Sequence, residues 1–114
     1  MAIVKNLTID QGSTFSVKIT LVAAGNNYEA YNLTGYGEPT AQIRKTASSS
    51  TVTAAMTCSV PQPMLGEVYM MLTDEQTALI KPGRYMYDLV VISGEGEKYR
   101  AVEGIITVTA GVTR

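Results

Sequence analysis

The side chains of this chain that could take part in chemistry include ten carboxylates, seven tyrosines and one cysteine, but no histidine, among 114 residues. Histidine has the pKa nearest to neutral, and general acid–base catalysis therefore depends on it most often. Its absence excludes a histidine-dependent catalytic triad and a histidine metal site. We expect a protein that is not an enzyme and has no catalytic residues.

Two carboxylates, Glu95 and Glu97, share a Gly-Glu-Gly-Glu turn. A calcium ion takes about six to eight oxygen ligands, and this turn offers too few by itself. A glycosidase needs two carboxyls that face each other across a cleft, and nothing in the sequence indicates a cleft. The turn glycines, Gly94 and Gly96, precede a strand and not a Lys-Ser/Thr pair with a helix, so they form no phosphate loop. We therefore expect a solvated hairpin, with neither metal nor cofactor bound.

The single cysteine, Cys58, has neither a second cysteine for a disulfide nor a histidine to complete a zinc site. Its neighbours in the sequence Ala-Met-Thr-Cys-Ser-Val are typical of a strand. We expect it to be a small buried hydrophobic side chain. A lone cysteine also favours synthesis in a reducing cytosol.

Asp88 is the carboxylate that most needs a partner. Strand alternation places it on the same face as Met86 and Val90, and a carboxylate among apolar neighbours costs free energy unless it is paired. We expect a structural ion pair with Arg44 or Arg100, and neither a catalytic nor a ligand-binding role.

The strands that must position these side chains follow from an alternation of period two, supplied mainly by Val, Ile, Thr and Tyr. Turns at intervals of roughly ten residues separate the alternating segments, which is the signature of a sandwich or barrel. We predict a single all-β domain over residues 1–114, an immunoglobulin-like antiparallel β-sandwich of seven to eight strands. The predicted strands are Ile3–Ile9, Ser13–Val22, Tyr28–Tyr31, Pro39–Lys45, Thr51–Val60, Gly66–Leu72, Arg84–Ile92 and Lys98–Thr109.

One short helical turn is predicted near residues 73–80, because Thr73 and Gln76 fit a capping box. A Lys-Pro-Gly sequence ends the turn at Gly83, and Tyr85 opens the next strand. This order is similar to the tyrosine corner of immunoglobulin-like folds, in which the phenol hydroxyl bonds back to the main chain. We expect Gly83 and Tyr85 to be structural residues of such a corner.

Charge and hydropathy bear on the partners of the chain. Nine Lys and Arg against ten Asp and Glu give a net charge of −1, and no segment concentrates one sign, which argues against a nucleic-acid partner. No apolar run reaches the length of a membrane span, and the first residues do not have the pattern of a signal peptide. We expect neither a nucleic acid nor a membrane as partner.

Five segments, in their order and spacing, resemble a family of small tailed-phage virion structural proteins. The family's layout is similar to the immunoglobulin-like N-terminal domain of phage baseplate upper proteins. The segments are Leu7–Phe15, Leu33–Tyr36, Ala41–Lys45, Pro82–Leu89 and Val108–Arg114.

The resemblance implies a non-enzymatic virion structural protein, a decoration or cement protein or a tail or baseplate adaptor. It implies symmetric multiple copies bound to other virion proteins, such as the major capsid or tail and baseplate proteins, after synthesis in the host cytoplasm. Edge strands can extend a partner's sheet, so we expect Ile3–Ile9 or Val108–Arg114 to make these contacts. The alternative is a surface adhesion or carbohydrate-binding module, with Tyr28, Tyr31 and Tyr36 as an exposed stacking surface.

Overall fold

The computed structural model describes residues 3–21 and 33–111 of the protein. These residues form eight strands, one short α-helix and one 3-10 turn at Pro63–Leu65. The all-β prediction is confirmed, while the predicted strand Tyr28–Tyr31 lies outside the described residues. The elements are β1 (Ile3–Val4), β2 (Leu7–Asp10), β3 (Phe15–Thr20), β4 (Thr40–Arg44), β5 (Ala54–Ser59), β6 (Glu67–Leu72), α1 (Asp74–Ala78), β7 (Gly83–Ile92) and β8 (Lys98–Thr109).

The strands form a sandwich whose two sheets are joined along one edge through β5. The first sheet contains β1 and β2, then β8, β7 and β4, and the second contains β6 and β3. Residues 54–56 of β5 pair with β4, whereas residues 57–59 pair with β6. The predicted immunoglobulin-like sandwich of seven to eight strands is confirmed, and its joined edge makes it nearly barrel-like.

The pairing of the N-terminal strands differs from the predicted antiparallel arrangement. Both β1 and β2 run parallel to β8, with Ile3 opposite Val102 and Leu7 opposite Ile106, whereas every other pairing among the described strands is antiparallel. Parallel strands cannot be joined by a tight hairpin. Here the whole domain lies between β2 and β8 in the sequence, so no tight hairpin is needed to connect them.

The hydrophobic core lies between the two sheets and consists of the side chains that point inward from each strand. In β7 the buried residues alternate with more exposed ones, as a half-buried strand requires. Cys58 belongs to this core. The largest fully buried apolar side chains are Ile9, Ile43, Val68, Met70, Leu72, Ile80, Leu89, Val102, Ile106 and Val108.

The short helix and the turn after it follow the sequence pattern closely. Thr73 accepts a hydrogen bond from the Gln76 backbone, and the Gln76 side chain accepts one from the Thr73 backbone, so the predicted capping box is present. The hydroxyl of Tyr85 donates a hydrogen bond of 2.6 Å to the Lys81 carbonyl, four residues earlier. Between them Gly83 has a φ of 146°, which residues with a side chain rarely adopt.

Candidate functional site: the outer face of the first sheet

The solvent side of the first sheet gathers apolar and charged side chains from four neighbouring strands. Strand pairing sets them in two rows, because Asp88 lies opposite both Gln42 and Glu103, and Met86 lies opposite both Arg44 and Ile105. We call this surface the outer face. It comprises Val4, Gln42, Arg44, Met86, Asp88, Arg100, Glu103 and Ile105, which together line an open concavity of about 480 Å³.

The centre of the outer face is apolar and exposed to solvent. Met86 retains 40% of its accessible surface, Ile105 37% and Val4 70%. Strand alternation normally places polar residues on the wet side of a sheet. Several exposed apolar side chains on such a face make it a candidate contact surface.

Val4 lies on this face because the N-terminal segment stays hydrogen-bonded to β8 between β1 and β2, where Lys5 and Asn6 interrupt the strand. The Lys5 amide donates to the Glu103 carbonyl at 2.9 Å. The side-chain oxygen of Asn6 accepts a hydrogen bond of 3.1 Å from the Ile105 amide, as a strand carbonyl would. Since β1 and β2 keep the same offset to β8, the segment runs straight across this interruption.

Asp88, Arg100 and Glu103 form an ion network at one end of the apolar centre. The Arg100 guanidinium lies 3.3 Å from the Asp88 carboxylate and 3.2 Å from that of Glu103. Asp88 is therefore not a carboxylate enclosed by apolar side chains, because its own side chain is 37% exposed. Exposed pairs of this kind contribute only about 0–1 kcal/mol, so the network orients charges more than it stabilises the fold.

A β-bulge places Arg100 on this face. Leu89 pairs with Val102, but the next residue, Val90, pairs with Arg100, so β8 carries one extra residue, Ala101. Without the bulge Arg100 would share the inward side with Val102. Simple alternation of residues could not reveal this reversal.

Arg44, the other partner suggested for Asp88, makes different contacts. Its guanidinium donates to the Ser49 carbonyl at 2.6 Å and to the Gln42 side-chain oxygen at 3.0 Å. No carboxylate in residues 3–21 or 33–111 lies within 4.0 Å of its nitrogens. Arg44 thus carries a positive charge that is hydrogen-bonded but is not neutralised by any carboxylate of the described residues.

The corresponding face of the second sheet has a different character. Ser16, Lys18 and Thr57 are its exposed polar residues on β3 and β5, and β6 places the half-buried Tyr69 and Met71 between them. Lys18 and Glu67 pair across β3 and β6 at 3.2 Å. The contrast makes the second sheet a natural reference surface for experiments on the outer face.

A second concavity, of about 320 Å³, lies near the end of the sandwich beside Cys58. Burial and the nearby Glu38 carboxylate raise the pKa of the Cys58 thiol to about 11. Thiolate is the nucleophilic form of cysteine, so this thiol is a poor nucleophile at neutral pH. Cys58 is 6% exposed, in agreement with its predicted place as a small buried hydrophobic side chain.

The other predicted features are only partly covered by the described residues. Tyr28 and Tyr31 lie outside them, and Tyr36 is half-buried against the core. Residues 3–21 and 33–111 contain no group of three or more Cys, Asp or Glu side chains placed to hold a metal ion. In the same ranges, no helix has the length and apolar character needed to cross a membrane.

Comparison with known proteins gives a fold relationship. No family model and no curated protein matches the chain. Among solved structures, CopC from Methylosinus trichosporium OB3b is similar, with a TM-score of 0.50 and 14% sequence identity over 95% of this chain and 89% of that chain. At this identity the likeness shows the β-sandwich fold alone.

The predicted function as a phage virion structural protein is corrected by this comparison. The similar solved structure is CopC of a bacterium, and the comparisons contain nothing in favour of a phage protein. The segments behind the resemblance include the tyrosine corner, which is a recurrent feature of immunoglobulin-like sandwiches. They report the fold and not the function. The family resemblance and the virion location drawn from it stay predictions.

Proposed function

We propose that this chain is a non-enzymatic β-sandwich module that binds a protein partner through the outer face of its first sheet. The observation that carries the proposal is the exposed apolar centre formed by Val4, Met86 and Ile105. On the outer surface of the second sheet, the β6 side chains of Tyr69 and Met71 are half-buried and lie between polar residues of β3 and β5.

The arrangement has the anatomy of a protein interface. Such interfaces have an apolar centre that becomes dry and a polar rim that stays partly hydrated. Here Asp88, Arg100 and Glu103 lie along one side of Met86 and Ile105, and Arg44 lies beside Met86 on β4. Because the side chains project from paired strands, little backbone conformational entropy is lost on binding.

Charge favours a protein over a polyanion as the partner. The rim carries two arginines and two carboxylates around the concavity, and one of the arginines is shared by both carboxylates. Nucleic acids and anionic lipid surfaces are bound by clusters of unopposed basic residues. A balanced rim instead suits the mixed charges of a protein surface.

Site-specific photocrosslinking in the cells from which the sequence comes tests the proposal. We expect a photoreactive residue at Met86 or Ile105 to give an adduct with one defined protein, and the same residue at Ser16 or Thr57 to give none. With the photoreactive residue at Met86, the additional substitution Ile105→Lys on the same face should abolish the adduct, and Lys18→Glu on the second sheet should leave it unchanged. Equal adducts from both faces, or none from either, would refute the proposal.

A further inference from the structure

Building on the proposed function, we infer that the partner of the outer face is a second copy of this chain, packed face to face about a two-fold axis. An isologous interface requires one surface to be complementary to itself. The charges, strand positions and size of the outer face meet this requirement.

The charges of the outer face are self-complementary. Asp88 and Glu103 share the single cation of Arg100, which leaves one negative charge in excess. Arg44 is held by two neutral oxygens, which leaves one positive charge in excess among the residues that the structure describes. When two copies meet, the excess charge of each can be opposed by that of the other.

The order of the strands allows a two-fold axis to bring Arg44 of one copy close to Glu103 of the other. Arg44 lies on β4 and Glu103 on β8, and β7 runs between these two strands. An axis parallel to the strands and above β7 sets β4 of one copy over β8 of the other. The two residues lie in successive outward rows, about 7 Å apart along a strand, which is within reach of an arginine side chain.

The same axis brings the apolar centres together. Met86 lies on β7, opposite Ile105, so each Met86 faces its own counterpart close to the axis. Methionine is unbranched and fills irregular gaps readily. The concavity of each face can therefore be filled by side chains of the other copy.

The size of the face suits a dimer of modest affinity. Ten residues of β7 extend over about 33 Å, and four strands side by side cover about 19 Å. Because β4 contributes only five residues and β1 only two to this width, the two copies would together bury at most about 1,200 Å², which is near the lower end of specific interfaces. We expect a dissociation constant in the micromolar range that rises with salt concentration.

Sedimentation equilibrium of the full chain tests this inference with a pair of charge reversals. The wild type should dimerise, whereas Arg44→Glu alone and Glu103→Arg alone should each weaken the dimer at least tenfold. An equimolar mixture of the two variants should dimerise again, because every Arg44–Glu103 contact is then between opposite charges. Lys18→Glu, on the second sheet, should dimerise like the wild type, and circular dichroism checks that each variant is folded.

A monomeric wild type at high protein concentration would refute the inference, as would a mixture that remains monomeric. The photocrosslinking experiment separates this failure from a failure of the proposed function. An adduct from the outer face to a different protein, with a monomeric wild type, would refute self-association and leave the binding module intact. A monomeric wild type without any face-specific adduct would refute both.

Discussion

The hydroxyl of Tyr87 donates a hydrogen bond of 2.6 Å to the backbone carbonyl of Lys5, which lies 82 residues earlier in the chain. The bond connects β7 with the segment between β1 and β2, although β8 lies between them. It can cross β8 because the residue opposite Tyr87 is Gly104, which has no side chain. Tyr87, Gly104 and Lys5 therefore lie side by side on three neighbouring strands or segments, and the hydrogen bond across Gly104 holds the N-terminal segment against the centre of the first sheet.

Removing the hydroxyl with Tyr87→Phe should lower the free energy of unfolding by about 1 kcal/mol, because a part-buried hydrogen bond to the Lys5 carbonyl is lost. Urea denaturation measures the loss. Tyr69→Phe, on the outer surface of the second sheet, is the matched control and should change stability by less than about 0.5 kcal/mol. Equal effects of the two substitutions would contradict the role given to Tyr87.

The same tyrosine predicts a loss of stability at alkaline pH. Burial raises the pKa of Tyr87 to about 12, whereas a tyrosine in an unfolded chain ionises near pH 10. Since the folded pKa is the higher one, this contribution to stability is complete below about pH 10 and is lost as the pH rises towards 12. The free energy of unfolding should therefore fall more steeply over this range in the wild type than in Tyr87→Phe. Parallel pH profiles would show that another group dominates.

Gly104→Ala should displace the N-terminal strand, because an added Cβ would lie 2.1 Å from the Lys5 carbonyl oxygen. Backbone must then move, and we expect a destabilisation of about 2 kcal/mol or more. Hydrogen exchange of the amides at Leu7–Asp10 should accelerate as well. Gly37→Ala, whose nearest contact would be 3.7 Å, is the control, and unchanged exchange in Gly104→Ala would exclude the predicted clash.

Asp88→Asn should cost less than about 1 kcal/mol, because the pair with Arg100 is exposed and screened by water. Thermal unfolding at low and high salt measures the difference, which should shrink as salt is added. A loss of several kcal/mol that does not depend on salt would instead indicate that the Asp88 carboxylate is buried and depends on Arg100 for its stabilisation.

Local patterns predicted much of the fold. Alternation placed seven of the eight predicted strands close to their observed positions, and the helical turn followed from Thr73 and Gln76. Such patterns depend on residues that are near one another in the chain, so they can be read from the sequence. The tyrosine corner belongs to the same class, because Tyr85 and Lys81 are four residues apart.

The candidate site could not be predicted in the same way. Arg100 was one of two partners suggested for Asp88, and only the bulge at Ala101 turns it to the outer face. The exposure of Met86 also depends on which side of the sheet faces the core. Both properties arise from pairing between strands that are distant in the sequence.

The sequence by itself determined that the chain is an all-β sandwich without histidine chemistry, since residue types and period-two alternation are local properties. Only the tertiary structure decided that β5 passes from one sheet to the other, that β1 and β2 run parallel to β8, and that Met86, Ile105 and Val4 share one exposed face. Alternation defines the two faces of a strand, but it does not determine which other strands pair with that strand. That choice depends on the packing of the whole chain.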